Sequence, residues 1–232
     1  MRRSVAVAGG AVLGLLAGCA SSPPAPHTAS LTVANGRSDA TLNVLTGTAA
    51  LKIGMADFGP GGSLVRVSTP KNDPPPHLRD TTAQPGGSTV VDLSAAGASA
   101  VTVTLNTAVR WQLNLGGGTT RTSADLRGGQ VTGIAFTAGS DIISLALPQP
   151  HGSVPVRLAG GASRFLVSLP SGVQARVTAG GGAGEVSLEG QGHVGVAAGS
   201  VFTTPGWAAG AAGFDVDAAA GAAQVTLTAR AS

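Results

Sequence analysis

The stretch from residue 143 to residue 190 constrains the fold more than any other part of the chain. It consists of short segments in which apolar residues alternate with small or polar ones, and clusters of Gly, Pro and Ser separate the segments. Alternation with a period of two is typical of a half-buried β-strand, and Gly, Pro and Ser are typical of turns. The strand-like segments are 143–147, 154–158, 165–169, 173–177 and 186–188. The pattern predicts short strands joined by tight turns.

The turn residues of this stretch also recur at an interval of about twenty positions, which is typical of solenoids. Each copy has a proline that ends a strand, a glycine in the next turn and an arginine at the outward position of the next strand. The two copies are Pro148, Gly152 and Arg157, then Pro170, Gly172 and Arg176. We therefore expect an all-β, solenoid-like stack of short strands with Gly and Pro turns. An antiparallel β-sandwich is the alternative, because similar strands and turns occur in both.

The composition agrees with many turns and a thin core. The chain of 232 residues contains 36 Gly and 14 Pro, and 11% of its residues are charged. Gly and Pro at this level favour short strands over long helices. The most regular alternation, at 109–115, places Trp111 on the same side as aliphatic residues, so we expect its indole to lie in the core.

The N-terminus predicts export and lipidation. Arg2 and Arg3 precede an apolar run over 5–16, and the chain continues Leu-Ala-Gly-Cys19, which contains the only cysteine in the chain. This sequence resembles the bacterial lipobox. The resemblance implies cleavage before Cys19, attachment of a thioether-linked diacylglycerol to its sulfur, and lasting membrane anchorage once two or more acyl chains are present. A plain secretory signal with a chance cysteine is the alternative.

The remaining chain is divided by its proline-rich segments. We expect a signal peptide over 1–18, the lipidated Cys19 and a Pro/Ser-rich extended tether over 19–30, and an all-β domain over 31–232. A second proline-rich stretch at 69–88 is unsuited to a central strand or a helix. It is therefore the candidate for a flexible excursion or for a division within the β-domain.

The charge of the chain argues against a nucleic-acid partner. There are 14 Lys and Arg against 11 Asp and Glu, and Arg2 and Arg3 belong to the predicted signal peptide. The remaining basic residues are scattered, whereas phosphate binding requires a basic cluster.

The part of the chain from Trp111 to Ala229 resembles the adhesin-like, cell-surface β-solenoid domains of bacterial envelope proteins. The matching features are the strand-ending prolines Pro148 and Pro170, the Gly-rich run over 179–184, the isolated Trp207 in a Gly-rich turn, and the final Gln-Val-Thr-Leu. The resemblance implies a right-handed, mostly parallel β-architecture and exposure at the cell surface. It brings no catalytic residues with it.

Glycine motifs give no cofactor site. The sequence Gly-Gln-Gly-His-Val-Gly over 190–195 fits the G-x-G-x-x-G pattern, but a dinucleotide site needs a helix beginning at these glycines, and Gly199 and Pro205 would break it. We predict turn glycines here and no cofactor. The glycine triplets at 116–118 and 180–182 are predicted to form tight corners in which φ is positive.

Neither a metal site nor an acid–base pair is expected. Asp215 and Asp217 share one face of a strand and are expected on the solvated side, with Phe214 and Val216 pointing inward. The histidines are spread over the predicted tether, loop and turns, so they do not form a ligand set. They are His27, His77, His151 and His193.

Three residues remain as candidates for surface binding. Arg157 and Arg176, with Arg164 nearby, are expected to form a weak basic ladder toward anionic wall polymers or lipid headgroups. Isolated solubilising charges are the alternative for these arginines. Trp207 offers a flat apolar surface on which a sugar could stack.

These features predict a lipid-anchored protein on the extracytoplasmic side of the cell membrane or outer envelope. Its β-domain is expected to be structural or binding, without catalysis, and its partners are the membrane and an envelope polymer or protein. The alternative is an envelope stress-response accessory that binds a small ligand or a membrane partner. An enzyme acting on cell-wall material is the third hypothesis, and it predicts a cleft with convergent titratable groups.

Overall fold

The computed structural model describes residues 25–32, 38–59, 61–82 and 88–230, and this part of the chain forms nineteen β-strands and no helix. The strands are β1 (His27–Thr32), β2 (Asp39–Val44), β3 (Thr48–Ala56), β4 (Ser63–Thr69), β5 (His77–Asp80), β6 (Thr89–Ser94), β7 (Ala100–Asn106), β8 (Arg110–Leu115), β9 (Thr119–Asp125), β10 (Gln130–Phe136), β11 (Ser140–Ala146), β12 (Ser153–Leu158), β13 (Ala162–Leu169), β14 (Gln174–Ala179), β15 (Ala183–Leu188), β16 (Gln191–Val196), β17 (Ser200–Thr203), β18 (Gly213–Asp217) and β19 (Ala222–Ala229).

The strands form two sheets. Sheet A has ten strands in the order β1-β4-β7-β3-β9-β11-β13-β19-β15-β16, and sheet B has nine in the order β17-β14-β18-β12-β10-β8-β2-β6-β5. Seven coils run through both sheets, each contributing one strand to sheet B and the next strand in the chain to sheet A. Within the stack the pairing is parallel, and the antiparallel pairs all involve β1, β4, β5, β16 or β17 at the two ends. The predicted all-β solenoid-like stack is confirmed, and the alternative of an antiparallel sandwich is wrong.

The coils in the middle of the stack follow the predicted period. Trp111 pairs with Val131 and Ile134 pairs with Val156, so partners in consecutive coils lie 20 and 22 residues apart. The same spacing holds in sheet A, where Ser140 pairs with Ala162. Because each coil repeats the same inward and outward alternation, the inward residues of neighbouring coils stack directly on one another.

The order of the coils departs from chain order at both ends. The first coil, β2–β3, lies between β6–β7 and β8–β9, and the last coil, β18–β19, lies between β12–β13 and β14–β15. The chain therefore starts and finishes its parallel coils inside the stack. Antiparallel strands then cover each end: β4, β5 and β1 at one, β16 and β17 at the other.

The core is a narrow aliphatic layer between the sheets. In sheet B its central row runs across all seven coils and consists of Val91, Leu42, Leu113, Ile134, Val156, Val216 and Val177. Trp111 is fully buried, as predicted, and its indole N–H donates a hydrogen bond to the carbonyl oxygen of Asn106 at 3.0 Å. Phe136 and Phe165 pack edge to face with their ring centroids 6.0 Å apart.

The glycine corners form for a different reason from the one predicted. Of the two triplets, only Gly182 has a positive φ. At three corner positions, a Cβ would collide with the backbone of the neighbouring coil: it would lie 2.0 Å from the oxygen of Thr46 at Gly117, 2.2 Å from the carbonyl carbon of Ala138 at Gly160, and 2.5 Å from the nitrogen of Gly221 at Gly181. Close stacking of coil on coil, not a left-handed backbone, selects glycine at these corners.

A polar ladder lines part of the outer face of sheet B. The amide nitrogen of Asn43 donates to the carboxylate of Asp92 at 2.8 Å, and that of Asn114 donates to the amide oxygen of Asn43 at 2.9 Å. Gln112 extends the ladder to Asn114 at 3.4 Å. These residues come from three adjacent strands, so the ladder fixes β6, β2 and β8 in register.

The proline-rich segment at 69–88 does not separate the strands that precede it from the strands that follow it. Strands from both sides of it pair with each other, as β2 does with β6 and β3 with β7. Its first part is held in place, because Asp73 accepts hydrogen bonds from the backbone N–H and the hydroxyl of Ser99 at 2.7 and 2.6 Å. Strand β1 begins at His27 and pairs with β4, so the last part of the expected tether is an edge strand. Residues 1–24 lie outside the described residues, and with them the predicted signal peptide and Cys19.

Candidate binding surface

The structure brings the three candidate surface residues to one face. Arg157 lies on β12, Arg176 lies on β14, and Trp207 lies in the turn between β17 and β18; both arginines project from the outer face of sheet B. Arg164 does not belong to this group, because it lies on β13 in sheet A. Cys19 lies outside the described residues.

The two arginines do not occupy equivalent positions. Strand β18 runs between β12 and β14, and in its register Arg157 lies opposite Asp217 whereas Arg176 lies opposite Asp215. The expectation of equivalent positions assumed that β12 and β14, which are consecutive in sheet B along the chain, are also neighbours in space. The inserted strand places the arginines in different rows.

Both arginines are paired with carboxylates. A nitrogen of Arg157 lies 3.3 Å from Asp217, and Arg176 binds Asp215 with both ends of its guanidinium, at 2.8 and 2.5 Å. The hydrogen bonds and the charge of Asp215 raise the pKa of Arg176 above its ordinary value. Asp215 and Asp217 lie on the outer face while Phe214 and Val216 are fully buried, which confirms the predicted alternation. The surface is therefore a row of ion pairs and not a ladder of unpaired cations.

Trp207 packs against the tighter of these pairs. The guanidinium carbon of Arg176 lies 5.8 Å from the centre of the indole ring, within the range of a cation–π contact. Trp207 is half-buried, and a Cβ at Gly213 would lie 3.0 Å from its ring, so the glycine leaves room for the indole. The backbone of the turn is anchored by the buried hydroxyl of Thr204, which accepts a hydrogen bond from the N–H of Ala175 at 2.8 Å.

This cluster of Trp207, Arg176 and Asp215, with Gln174 beside Gly206, presents an aromatic surface next to planar polar groups. An indole supplies a large apolar contact area, while guanidinium, carboxylate and amide groups supply directional hydrogen bonds. Such a surface can hold a flat ligand with one apolar face and polar edges. The cluster is formed by β14, by β18 and by the turn between β17 and β18.

Tryptophan fluorescence can test whether the side chain of Arg176 covers the indole ring of Trp207. We expect the Arg176→Ala substitution to uncover the indole of Trp207 and to raise its quenching by acrylamide, with emission moving to longer wavelength. The Arg157→Ala substitution is the matched control, because that arginine pairs with Asp217 and should leave the indole unchanged. Trp111 is fully buried and contributes an unquenched background in each variant. Equal quenching in both variants would show that Arg176 does not hold the ring.

A cavity lies at the end of the stack, and the sequence did not predict it. Strands β16 and β17 are the last strands of sheets A and B there, and a cavity of about 400 Å³ opens between them. Its wall includes Leu188, Gln191 and the rings of His193 and Phe202, whose centroids lie 4.7 Å apart. His193 pairs with the buried Val186, and Phe202 pairs with the buried Val177. Both rings therefore lie on the inward side of their strands and cover the end of the core.

Most of the G-x-G-x-x-G sequence over 190–195 lies in strand β16, so the prediction that its glycines are turn residues holds only for Gly190. That residue and Glu189 both have positive φ, as the central residues of a type I′ hairpin turn require. A turn and strand β17 follow β16 in place of the helix that a dinucleotide site needs.

The histidines are exposed, but they lie mostly in strands and not in loops. His27, His77 and His193 belong to β1, β5 and β16. Within the described ranges, no three His, Cys, Asp or Glu side chains gather closely enough to hold a metal ion. The described part of the chain contains no helix with the length and hydropathy of a membrane span.

No protein-family model matches the chain, and no curated protein matches it in sequence. Among solved structures, the chain is similar to a protein from Clostridium sporogenes described as a candidate cell adhesion protein. The likeness has a TM-score of 0.62 at 18% identity, and it covers 88% of this chain and all of the other. At this identity the likeness concerns the fold alone: the chain shares the all-β architecture of an adhesin-like protein.

Proposed function

We propose that this chain is a lipid-anchored protein of the bacterial cell envelope whose β-solenoid serves in binding and not in catalysis. The observation that carries the proposal is the Leu-Ala-Gly-Cys19 sequence after a short apolar run, placed directly ahead of the folded stack. Cleavage and lipidation at Cys19 would leave the protein on the extracytoplasmic side of the membrane. The description of the Clostridium protein as a candidate cell adhesion protein supports a role at the cell surface.

The position of the first strand suits an anchored module. Strand β1 is the outermost strand of sheet A, so the chain enters the stack at one end. At a spacing of about 4.8 Å between strands, β16 lies roughly 40 Å from β1 across the sheet. An anchor at Cys19 would therefore hold the β1 end near the membrane. The Trp207 cluster would lie away from the anchor, accessible to an envelope polymer or a protein partner.

Membrane fractionation with intact-mass measurement tests the anchor. Wild-type protein is expected in the membrane fraction, beginning at Cys19 and carrying the added mass of its acyl chains. The Cys19→Ala variant is expected to lack this mass and to retain residues 1–18. The Ser21→Ala variant, two residues away, is the control and should behave like wild type. Soluble wild-type protein of unmodified mass would contradict the proposal.

The binding role is tested separately with the Trp207 cluster. If an envelope polymer binds there, Trp207→Ala should reduce co-sedimentation of the membrane-anchored protein with purified cell-wall polymer, whereas Thr28→Ala on the opposite end should not. Equal co-sedimentation of both variants would show that the polymer does not bind at the Trp207 cluster.

The cavity beside β16 favours one second candidate function, an envelope stress-response accessory that binds a small ligand. Its volume of about 400 Å³ lies within the range of small-molecule sites, and His193 and Phe202 supply aromatic surface. This alternative predicts that a small molecule co-purifies with the protein and is lost in the Phe202→Ala variant.

A further inference from the structure

The two ends of the stack differ in how their edge strands are protected. At the β1 end, the edge strand of sheet B, β5, carries Arg79 and Asp80 and follows a proline-rich segment held by Asp73. The edge strand of sheet A there, β1, has no Asp, Glu, Lys or Arg, but it directly follows Pro26, and its His27 ring nitrogen lies 2.9 Å from the backbone oxygen of Lys71. Charged residues and prolines are the usual means by which edge strands avoid pairing with other chains. At the other end, residues 190–206 contain no Asp, Glu, Lys or Arg, and the only proline, Pro205, comes after both edge strands.

This end also carries two of the three large hydrophobic side chains that are exposed in the described part of the chain. Val194 is 83% exposed and lies on the outer face of β16, and Val201 is 55% exposed on the outer face of β17. Between the two strands the cavity opens beside Phe202 and His193. Unpaired backbone edges, exposed valines and an open cavity therefore coincide at a single end.

We infer that this end binds a second copy of the same chain, with β16 pairing antiparallel to β16 of the partner. Strands β16 and β17 carry no ionised side chains, so they meet identical strands without repulsion between like charges, which favours a self-complementary contact. Glu189, in the turn before β16, lines the cavity, and an antiparallel β16 pair would place its two copies at opposite ends of the contact. A two-fold axis normal to sheet A would continue this sheet into the partner and bring β17 near its counterpart. The second copy would close the cavity and cover both valines. This contact does not depend on lipidation.

The side chains of β16 select one register. A two-fold axis normal to the sheet requires that a residue of β16 pairs with itself, because only then do outer faces continue into outer faces. Pairing centred on Val194 places the Val194 side chains of the two copies side by side and sets His193 opposite Gly195. Pairing centred on His193 would oppose two imidazole rings at the end of the core. We therefore assign the Val194-centred register, in which Val194 lies opposite its own copy.

Cysteine cross-linking in intact cells tests this register with the full chain. Oxidation of the Val194→Cys variant should give a disulfide-linked dimer, because directly opposed residues have Cβ atoms about 4.5–5.5 Å apart. The Thr28→Cys variant is the matched control: it is exposed on the edge strand at the other end of sheet A and should not exceed wild type, which has only Cys19. Absence of a Val194→Cys dimer, equal dimer in both variants, or a Val194→Cys cross-link to a different protein would each overturn the inference.

A charge substitution gives a second, independent measurement. Sedimentation of the detergent-solubilised full chain should show that Val194→Lys weakens self-association at least about tenfold, since lysine on an edge strand opposes pairing and here would face its own copy. Thr28→Lys should leave self-association unchanged. Wild-type protein that stays monomeric, or a dimer equally stable in both variants, would exclude the contact. Neither result bears on whether Cys19 is lipidated.

Discussion

Removal of residues 213–232 is expected to unfold the C-terminal coils and not merely to shorten the stack by one coil. Strand β18 lies between β12 and β14, and β19 lies between β13 and β15. Without them, the coil β14–β15 loses its parallel partners, and only the chain connection after β13 still joins it to the rest. The deletion also removes Phe214, Val216, Val225 and Leu227, which are fully buried.

The expected loss is large on the scale of protein stability. Burial of one large apolar side chain contributes about 1.5–3 kcal/mol, so these four residues contribute roughly 6–12 kcal/mol. A whole domain is stable by about 5–15 kcal/mol. Circular dichroism should show a lower and broader thermal transition, and hydrogen exchange should show loss of protection in β14 to β17. Protection of the middle coils, β8 to β11, should decline less.

A matched deletion and a complementation experiment make this result specific. Removal of residues 231–232, which follow β19, should leave the transition unchanged. Addition of a peptide spanning 213–230 to the truncated protein should restore protection in β14 and β15, because the peptide can fill the gap between existing strands. Full protection of β14 in the truncated protein would show that this coil does not need β18.

Substitution of Gly160 by alanine is expected to cost more stability than one methyl group suggests. The added Cβ would lie 2.2 and 2.3 Å from the carbonyl carbon and oxygen of Ala138, and the backbone of this neighbouring coil cannot move away alone. That backbone is held by hydrogen bonds, including those from the N–H groups of Ala159 and Gly160 to the oxygen of Phe136 at 2.8 and 3.0 Å. Overpacking of this kind costs about 1–3 kcal/mol or more, which chemical denaturation measures directly.

Gly54 provides the matched control for this substitution. It lies inside strand β3, its φ is not positive, and a Cβ there would meet nothing within 4 Å. The Gly54→Ala variant should therefore be unchanged or more stable by up to about 1 kcal/mol, since alanine restricts the unfolded chain. If Gly160→Ala were as stable as Gly54→Ala, close stacking of the corners would not be the reason for glycine at position 160.

The part of the fold that was predictable from sequence is the part in which neighbours in sequence are neighbours in space. The coils from Trp111 to Leu169 repeat at nearly constant length, so alternation and turn residues suffice to recognise them. Burial of Trp111 and the outward position of Asp215 follow from the same alternation.

The order of the coils at the two ends could not be predicted from alternation and turn residues. Asn114 bonds to Asn43, 71 residues earlier, and the alternation of apolar residues does not encode which distant strand becomes a neighbour. Insertion of β18 between β12 and β14 therefore also separated Arg157 from Arg176 and paired each arginine with an aspartate. Strand β16 was missed because its glycines at 192 and 195 carry no side chain to show the alternation.

The first and last coils each lie between two other coils, and this has a consequence for how such proteins vary in length over evolution. A coil added after β19 would follow a strand that already has a neighbour on each side, so duplication of the last coil gives no new place in the stack. A duplication of about twenty residues among β8 to β13, by contrast, adds one more layer between coils that already repeat at that length. Relatives of different size should therefore differ by whole coils in the middle, while the first and last coils and their antiparallel covers stay constant in number.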